Sequence, residues 1–167
     1  MSKKFLVGEH IVCPLYGAGE IISKKIVPTR NGNKKFFEVI FKHSNIKLNI
    51  RCDKTESVGM RALSKKKDVK KAFKLLESSC NLEENIQWKK KHILYLVKLQ
   101  KGDLISVAEV VQSLMTKKLM KNLSATENKT LSDARSILIS EIAVIEKKGI
   151  EVISEKLDDF FYLKKGV

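Results

Sequence analysis

Between Phe5 and about Leu63 apolar positions recur at every second residue, and beyond Ser64 they recur at every third or fourth. A period of two marks strands with one buried face; a period near 3.6 marks helices with one buried stripe. In the first region GEIISKKIV and KKFFEVIFK flank PTRNGN, where Asn31-Gly32 predicts a hairpin because both residues tolerate a positive φ. A second turn is expected at His43 to Asn45. Beyond it IKLNIRC alternates Ile46, Leu48, Ile50 and Cys52 with Lys47, Asn49 and Arg51, a strand with one wet face. Upstream, CPLYGAGEI carries a proline and two glycines and reads as a loop entering a strand at Glu20. Its glycines lack the spacing and the Gly-Lys-Ser/Thr ending of a phosphate-cradling loop.

After Ser64 the spacing predicts helices at about Asp68–Ser79, Asn85–Gln100, Asp103–Lys121, Ala125–Lys148 and Ile150–Leu163. Capping residues mark most of the boundaries. Asn81 has Glu84 three residues on, Gly102 stops one helix just before Asp103 starts the next, and Ser124 with Glu127 forms a capping box. Gly149, after two lysines, suits the end of the fourth helix. The fold class is therefore α+β. A small antiparallel β domain over residues 1–64 precedes an α-helical domain of about five helices over 65–167, joined at LSKKKD.

Charge adds a partner to this outline. The 167 residues carry 33 Lys and Arg against 19 Asp and Glu, a net +14, which points to a polyanion such as nucleic acid or to an acidic protein or membrane surface. Both halves are basic, so the excess is no simple tail. Lysine greatly outnumbers arginine, the usual residue for bidentate phosphate or guanine contacts, so a bland compositional bias explains the charge equally well. Cys13, Cys52 and Cys80 are odd in number and widely spaced, which argues against a disulfide framework and a four-ligand zinc site and suggests reduced, small core residues. No stretch reaches the roughly 18 apolar residues of a membrane span and the start has no cleavage-site pattern, so a cytoplasmic protein without a membrane partner is expected.

Little in the chain is suited to catalysis. His10 and Cys13 make one pair without a second, His43 and His92 have no acid or thiol at ligand spacing, and the adjacent acids Glu83-Glu84 and Asp158-Asp159 diverge on a helix. No enzyme, metal, cofactor or small-molecule substrate is expected. The lone tryptophan is more informative. In ENIQWKKKHILYL, an ideal helix puts Ile86, Ile93 and Val97 on one stripe and Trp88 about 140° from Ile93, with Lys91 and Tyr95 within about 60° of Trp88. An indole grouped with an ammonium suits insertion among bases while cations hold phosphates. The competing reading, in which Trp88 and Tyr95 pack under a neighbouring element and the lysines only face water, stays open on this pattern.

Several stretches in order resemble one family. FLVGEHIVCPLYGAGEI is similar to the opening of CarD/CdnL-like bacterial transcription regulators, and SVGMRAL resembles the Val-Gly-x-Arg that closes their β domain. NIQWKKKH, KGDLISVAEVVQSL and NLSATENKTLSDARSILISEIA resemble the family's Trp-basic, Gly-Asp-x-x-x-Val-Ala-Glu-Val-Val and Leu-Ser-x-x-Glu stretches, over about residues 5 to 148. The resemblance implies a Tudor-like, SH3-like N-terminal domain docking on the RNA polymerase β subunit. It also implies a helical domain at promoter DNA, where Trp88 would wedge into the minor groove at the upstream edge of the open bubble. Lys90 and Lys91 match basic positions and would contact phosphates. A further basic position falls on Asn128, beside Lys129. The family's polymerase-contacting arginines fall near Lys25 to Val27 and near Asn49, so Lys25, Lys47, Asn49 and Arg51 are the polymerase-facing candidates. Two other classes stand beside this one: a charge-driven nucleic-acid-binding protein without polymerase contact, and an adaptor for acidic proteins.

Overall fold

The computed structural model describes residues 4–78 and 87–165. Strands β1 (His10–Cys13), β2 (Gly17–Thr29), β3 (Gly32–Phe41), β4 (Ile46–Arg51) and β5 (Arg61–Ala62) come first. Helices α1 (Lys66–Glu77), α2 (Trp88–Lys101), α3 (Leu104–Met120), α4 (Ala125–Glu146) and α5 (Ile150–Lys165) follow. The α+β order matches the change of period at Ser64. The strands form one antiparallel sheet in the order β4-β3-β2-β1-β5, so β4 and β5 are its edges. No helix among the described residues is long and apolar enough to cross a membrane.

The turns at Arg30–Asn31 and before Ile46 lie where the pattern puts them, with Thr29 opposite Gly32. Of the Asn31-Gly32 pair only Gly32 takes a positive φ, 91°; Asn45 takes 55° in the second turn. The stretch from Pro14 is a correction. It is a loop only as far as Tyr16, because β2 already begins at Gly17 and pairs Gly17, Ala18 and Gly19 with Cys13, Val12 and Ile11. Gly19 is a packing glycine: a Cβ there would lie 2.8 Å from the Phe41 ring. One sheet face carries Ile11, Ile21, Phe37, Val39, Phe41 and Ile50 into a core closed by Phe5 and Met60.

The helices bury their own core, centred on Val107, Val111 and Leu114 of α3, Leu138 and Ile142 of α4, and Leu157 of α5. Local chemistry sets their ends. Asp103 accepts a hydrogen bond from the Ser106 N–H at 2.9 Å, Ser124 and Glu127 form a reciprocal capping box, and Gly102 at φ 70° ends α2. The Gln112 side chain of α3 donates to the Leu75 and Ser78 carbonyls at the end of α1. The expectation that Gly149 stops α4 is corrected: Lys147 is the left-handed cap, φ 54°, and the Gly149 carbonyl accepts from Ile153 N–H in the first turn of α5. The cap at Asn81 and Glu84, and Cys80 and Ile86, lie outside the described residues.

Sheet and helices meet along α4. The Ala18 N–H donates to Ser140 Oγ at 3.0 Å, and a Cβ on Gly17 would collide with that same hydroxyl. Arg61 of β5 makes the second tie, donating to both Glu141 oxygens at 2.8 Å and to the Gly102 carbonyl at 2.7 and 3.1 Å. The Ser64 N–H also donates to Glu141, at 2.9 Å. Gly102 in turn presses on Pro14, 2.9 Å from its Cγ to a Cβ built there, so the same glycine ends a helix and seats the β1–β2 turn.

Candidate nucleic-acid and protein interfaces

The cross-strand register gathers the four N-terminal candidates on one face. Lys25 lies opposite Phe36, Lys47 opposite Ile40, Asn49 opposite Glu38 and Arg51 opposite Phe36, all on the side of β3 away from Phe37, Val39 and Phe41. At the centre is an acid. Glu38 pairs with Lys25 Nζ at 2.8 Å and with Lys47 Nζ at 3.4 Å, and accepts from Ser23 Oγ at 2.7 Å. The Lys25 hydrogen bond, then that from Ser23, holds its carboxyl far below the usual range, at about 2, so it stays charged at physiological pH. Arg51 is also paired, through Nε and Nη2 to Asp53 at 3.0 and 2.6 Å, which raises its own pKa and lowers that of Asp53. This face therefore presents a patterned array of charges. Its outer strand β4 leaves one backbone edge unpaired in the sheet.

In the helical half, Trp88 is the first residue of α2 and its side chain lies outside the described atoms. Lys90 is exposed beside it and Lys91 is half-buried. Lys129 is exposed early in α4. The Asn128 amide beside it donates to the Leu123 and Ser124 carbonyls at 3.1 Å, which occupies it in the cap of its own helix. α2 packs against α3 and also touches α4.

The reading of the α2 faces is corrected. Tyr95, 8% exposed, and Leu99, 2% exposed, are turned into the core, whereas Ile93 and Val97 stand 58% and 54% exposed. Five consecutive positions from Ile93 to Val97 are apolar or aromatic, so the periodicity had no polar side to select against, and packing on α3 chose the face. Tyr95 therefore does not belong to an outward surface with the lysines. The assignment of Trp88 as outward loses that support and rests on the family resemblance alone.

Three features escaped the sequence reading. Glu38, the organiser of the basic sheet face, was legible in principle as the one acid alternating with Phe36 and Ile40 in KKFFEVIFK. The Arg61–Glu141 pair joins positions 80 residues apart and leaves no local signal. A groove between sheet and α4 is equally nonlocal. Among the described residues no three His, Cys, Asp or Glu gather as metal ligands. Cys13 is buried, which pushes its thiol up to about 12, and burial also raises that of the half-buried Cys52.

Residues 71–158 match the family model for the CarD C-terminal domain. The chain is also similar to the Bacillus subtilis (strain 168) protein named "Putative transcription factor YdeB", 30% identical over 146 residues that cover 87% of this chain and 94% of that one. The matched region spans α2 with its Trp-Lys-Lys-Lys start, the Gly102–Asp103 junction and the capping box of α4. A match over more than half the chain, joined to a relative aligned over nearly its whole length, places the chain in the CarD family.

Proposed function

We propose that the protein is a transcription regulator that holds RNA polymerase and promoter DNA together. In this reading residues 1–64 form a domain that docks on the polymerase β subunit through the face bearing Lys25, Lys47, Asn49 and Arg51. Residues 65–167 form a domain that meets the DNA, with Trp88 as a wedge at the upstream edge of the bubble and Lys90, Lys91 and Lys129 on phosphates. The observation that carries it is membership of the CarD family. The charged sheet face and the basic start of α2 add physical support, since a partner on each is what a bridging protein needs. Such a protein acts by binding energy alone: an indole that stacks only in melted DNA stabilises the melted state relative to the closed one.

The test is a pull-down of core polymerase paired with a promoter-opening assay. Wild-type protein retains the β subunit and lengthens the life of the open complex. Absence of β-subunit retention, together with DNA binding that falls steeply with salt, would replace this reading with charge-driven coating of nucleic acid, which the net +14 alone also favours.

A further inference from the structure

The groove between sheet and helices has a volume of about 720 Å³, within the range of small-molecule sites. Its sheet wall is the cross-strand pair Glu20 and Ile40, with Ala18 and Gly19. Its helix wall is Ala143, Val144 and Ile145 of α4, and Leu63 and Ile150 add to the apolar lining. This lining is mostly hydrocarbon. Lys42, Lys66, Lys147 and Lys148 also line it, and Glu20 is the one carboxylate in the lining.

Glu20 is already matched, by Lys42 Nζ at 2.9 Å. Lys66, Lys147 and Lys148 have no ion pair among the described residues, so three exposed lysines of the lining carry no counter-charge from the protein. α4 ends at Lys147 in the lining, where its carbonyl end adds partial negative charge, so the attraction for an anion comes from the lysines. Lysine is a flexible point charge whose stem lies along apolar surface, suited to one anionic head without the fixed fork of arginine.

We infer that this groove is a binding site for a small amphiphile with a short apolar body and a single anionic head, carboxylate or phosphate monoester, held between the sheet and α4. The apolar body lies along Val144, Ile145 and Ile40, and the head sits among Lys66, Lys147 and Lys148. Ile40 lies across from Lys47, so the groove adjoins the proposed polymerase face without including Lys25, Asn49 or Arg51. Because its walls belong to both the sheet and the helices, a bound molecule touches both sides of their junction.

The experiment titrates the full-length protein with decanoate, decyl phosphate and decan-1-ol, each below its aggregation limit, by equilibrium dialysis, with methyl NMR shifts at Ala143 and Val144 as the site readout. Saturable binding of either anion, with shifts at those methyls and with the alcohol about tenfold weaker, supports the site, and the stronger anion identifies the head. Lys147→Glu combined with Lys148→Glu lowers anion affinity to that of the alcohol and leaves the alcohol unchanged. Val144→Trp, which fills the trough from a half-exposed helix position, removes binding of all three; circular dichroism identical to wild type confirms the fold. Equal affinity for alcohol and anions, binding that survives Val144→Trp in the folded variant, or no saturable binding overturns the inference. So does protection of Lys147 and Lys148 from acetylation by polymerase in a protein that takes up no decanoate, which would assign the groove to a protein partner.

Discussion

Arg61 on the edge strand β5 and Glu141 in the C-terminal part of α4 meet in a two-pronged ion pair, both N···O distances 2.8 Å, with the carboxylate 1% and the guanidinium 26% exposed. Arg61 Nε and Nη2 also reach the Gly102 carbonyl and Nη1 the Ala62 carbonyl, so strand, helix and interhelical turn are fixed by one side chain. Removing one partner leaves the other charge buried. Arg61→Met or Glu141→Gln is expected to lower stability by about 3 kcal/mol, read from urea denaturation, with the double change to Met and Leu recovering part of the loss. Single variants as stable as wild type would show that the pair is dispensable.

Gly17 supplies a second strut that can be tested without touching a charge. It sits at φ 82°, where an L side chain is strained, and a Cβ there would collide with Ser140 Oγ and lie 3.2 Å from Ile137 Cα. Gly17→Ala should cost about 2–3 kcal/mol, and Gly32→Ala, strained but with nothing within 4 Å, about 1 kcal/mol. A thermal melt of the two variants checks the order.

Glu38 controls the sheet face through its charge. Its carboxyl titrates at about 2 against an ordinary 4.5, so ionisation favours the folded state at any pH above 4.5, and that contribution disappears as pH falls from 4.5 toward 2. A carbon-detected titration should show the Glu38 carboxyl still ionised at pH 3.5. Glu38→Gln frees Lys25 and Lys47 and should make polymerase retention more sensitive to salt. An ordinary midpoint near 4.5 would dismiss the network.

Trp88→Ala is expected to shorten the open-complex lifetime about tenfold, or about 1.4 kcal/mol, while β-subunit retention stays at the wild-type level. Lys47→Glu should do the opposite. Loss of β retention in the Trp88 variant would move that residue from the DNA surface to the docking surface.

Thiol chemistry reports on the sheet core. With Cys13 buried and its thiol pushed up to about 12, iodoacetamide at pH 8 should leave it unmodified in the folded protein and label it once urea unfolds the chain. Mass spectrometry of the Cys13 peptide decides the matter.

What could be read from residues alone follows from the range of each interaction. The helix starts at Asp103 and Ser124 are set by bonds three residues long, so the sequence displays them directly. The strand from Ile46 to Arg51 shows its wet face because Lys47 and Asn49 alternate with Leu48 and Ile50. Gly19 reads as a turn residue until the Phe41 ring, supplied by another strand, shows why no side chain fits. α2 hid its inward face because Ile93 to Val97 offer hydrocarbon on every side. The family resemblance supplied the rest of the functional outline, and the residues themselves did not specify a polymerase or a promoter.

The seating of Gly102 on Pro14 means that the turn ending the tryptophan-bearing helix rests directly on the sheet. Little slack is left between the two halves: whatever grips one sets the heading of the other. On the proposed function the molecule is a spacer of fixed reach, and lengthening the segment between Leu63 and Lys66 should misalign its two partners even when each is still held.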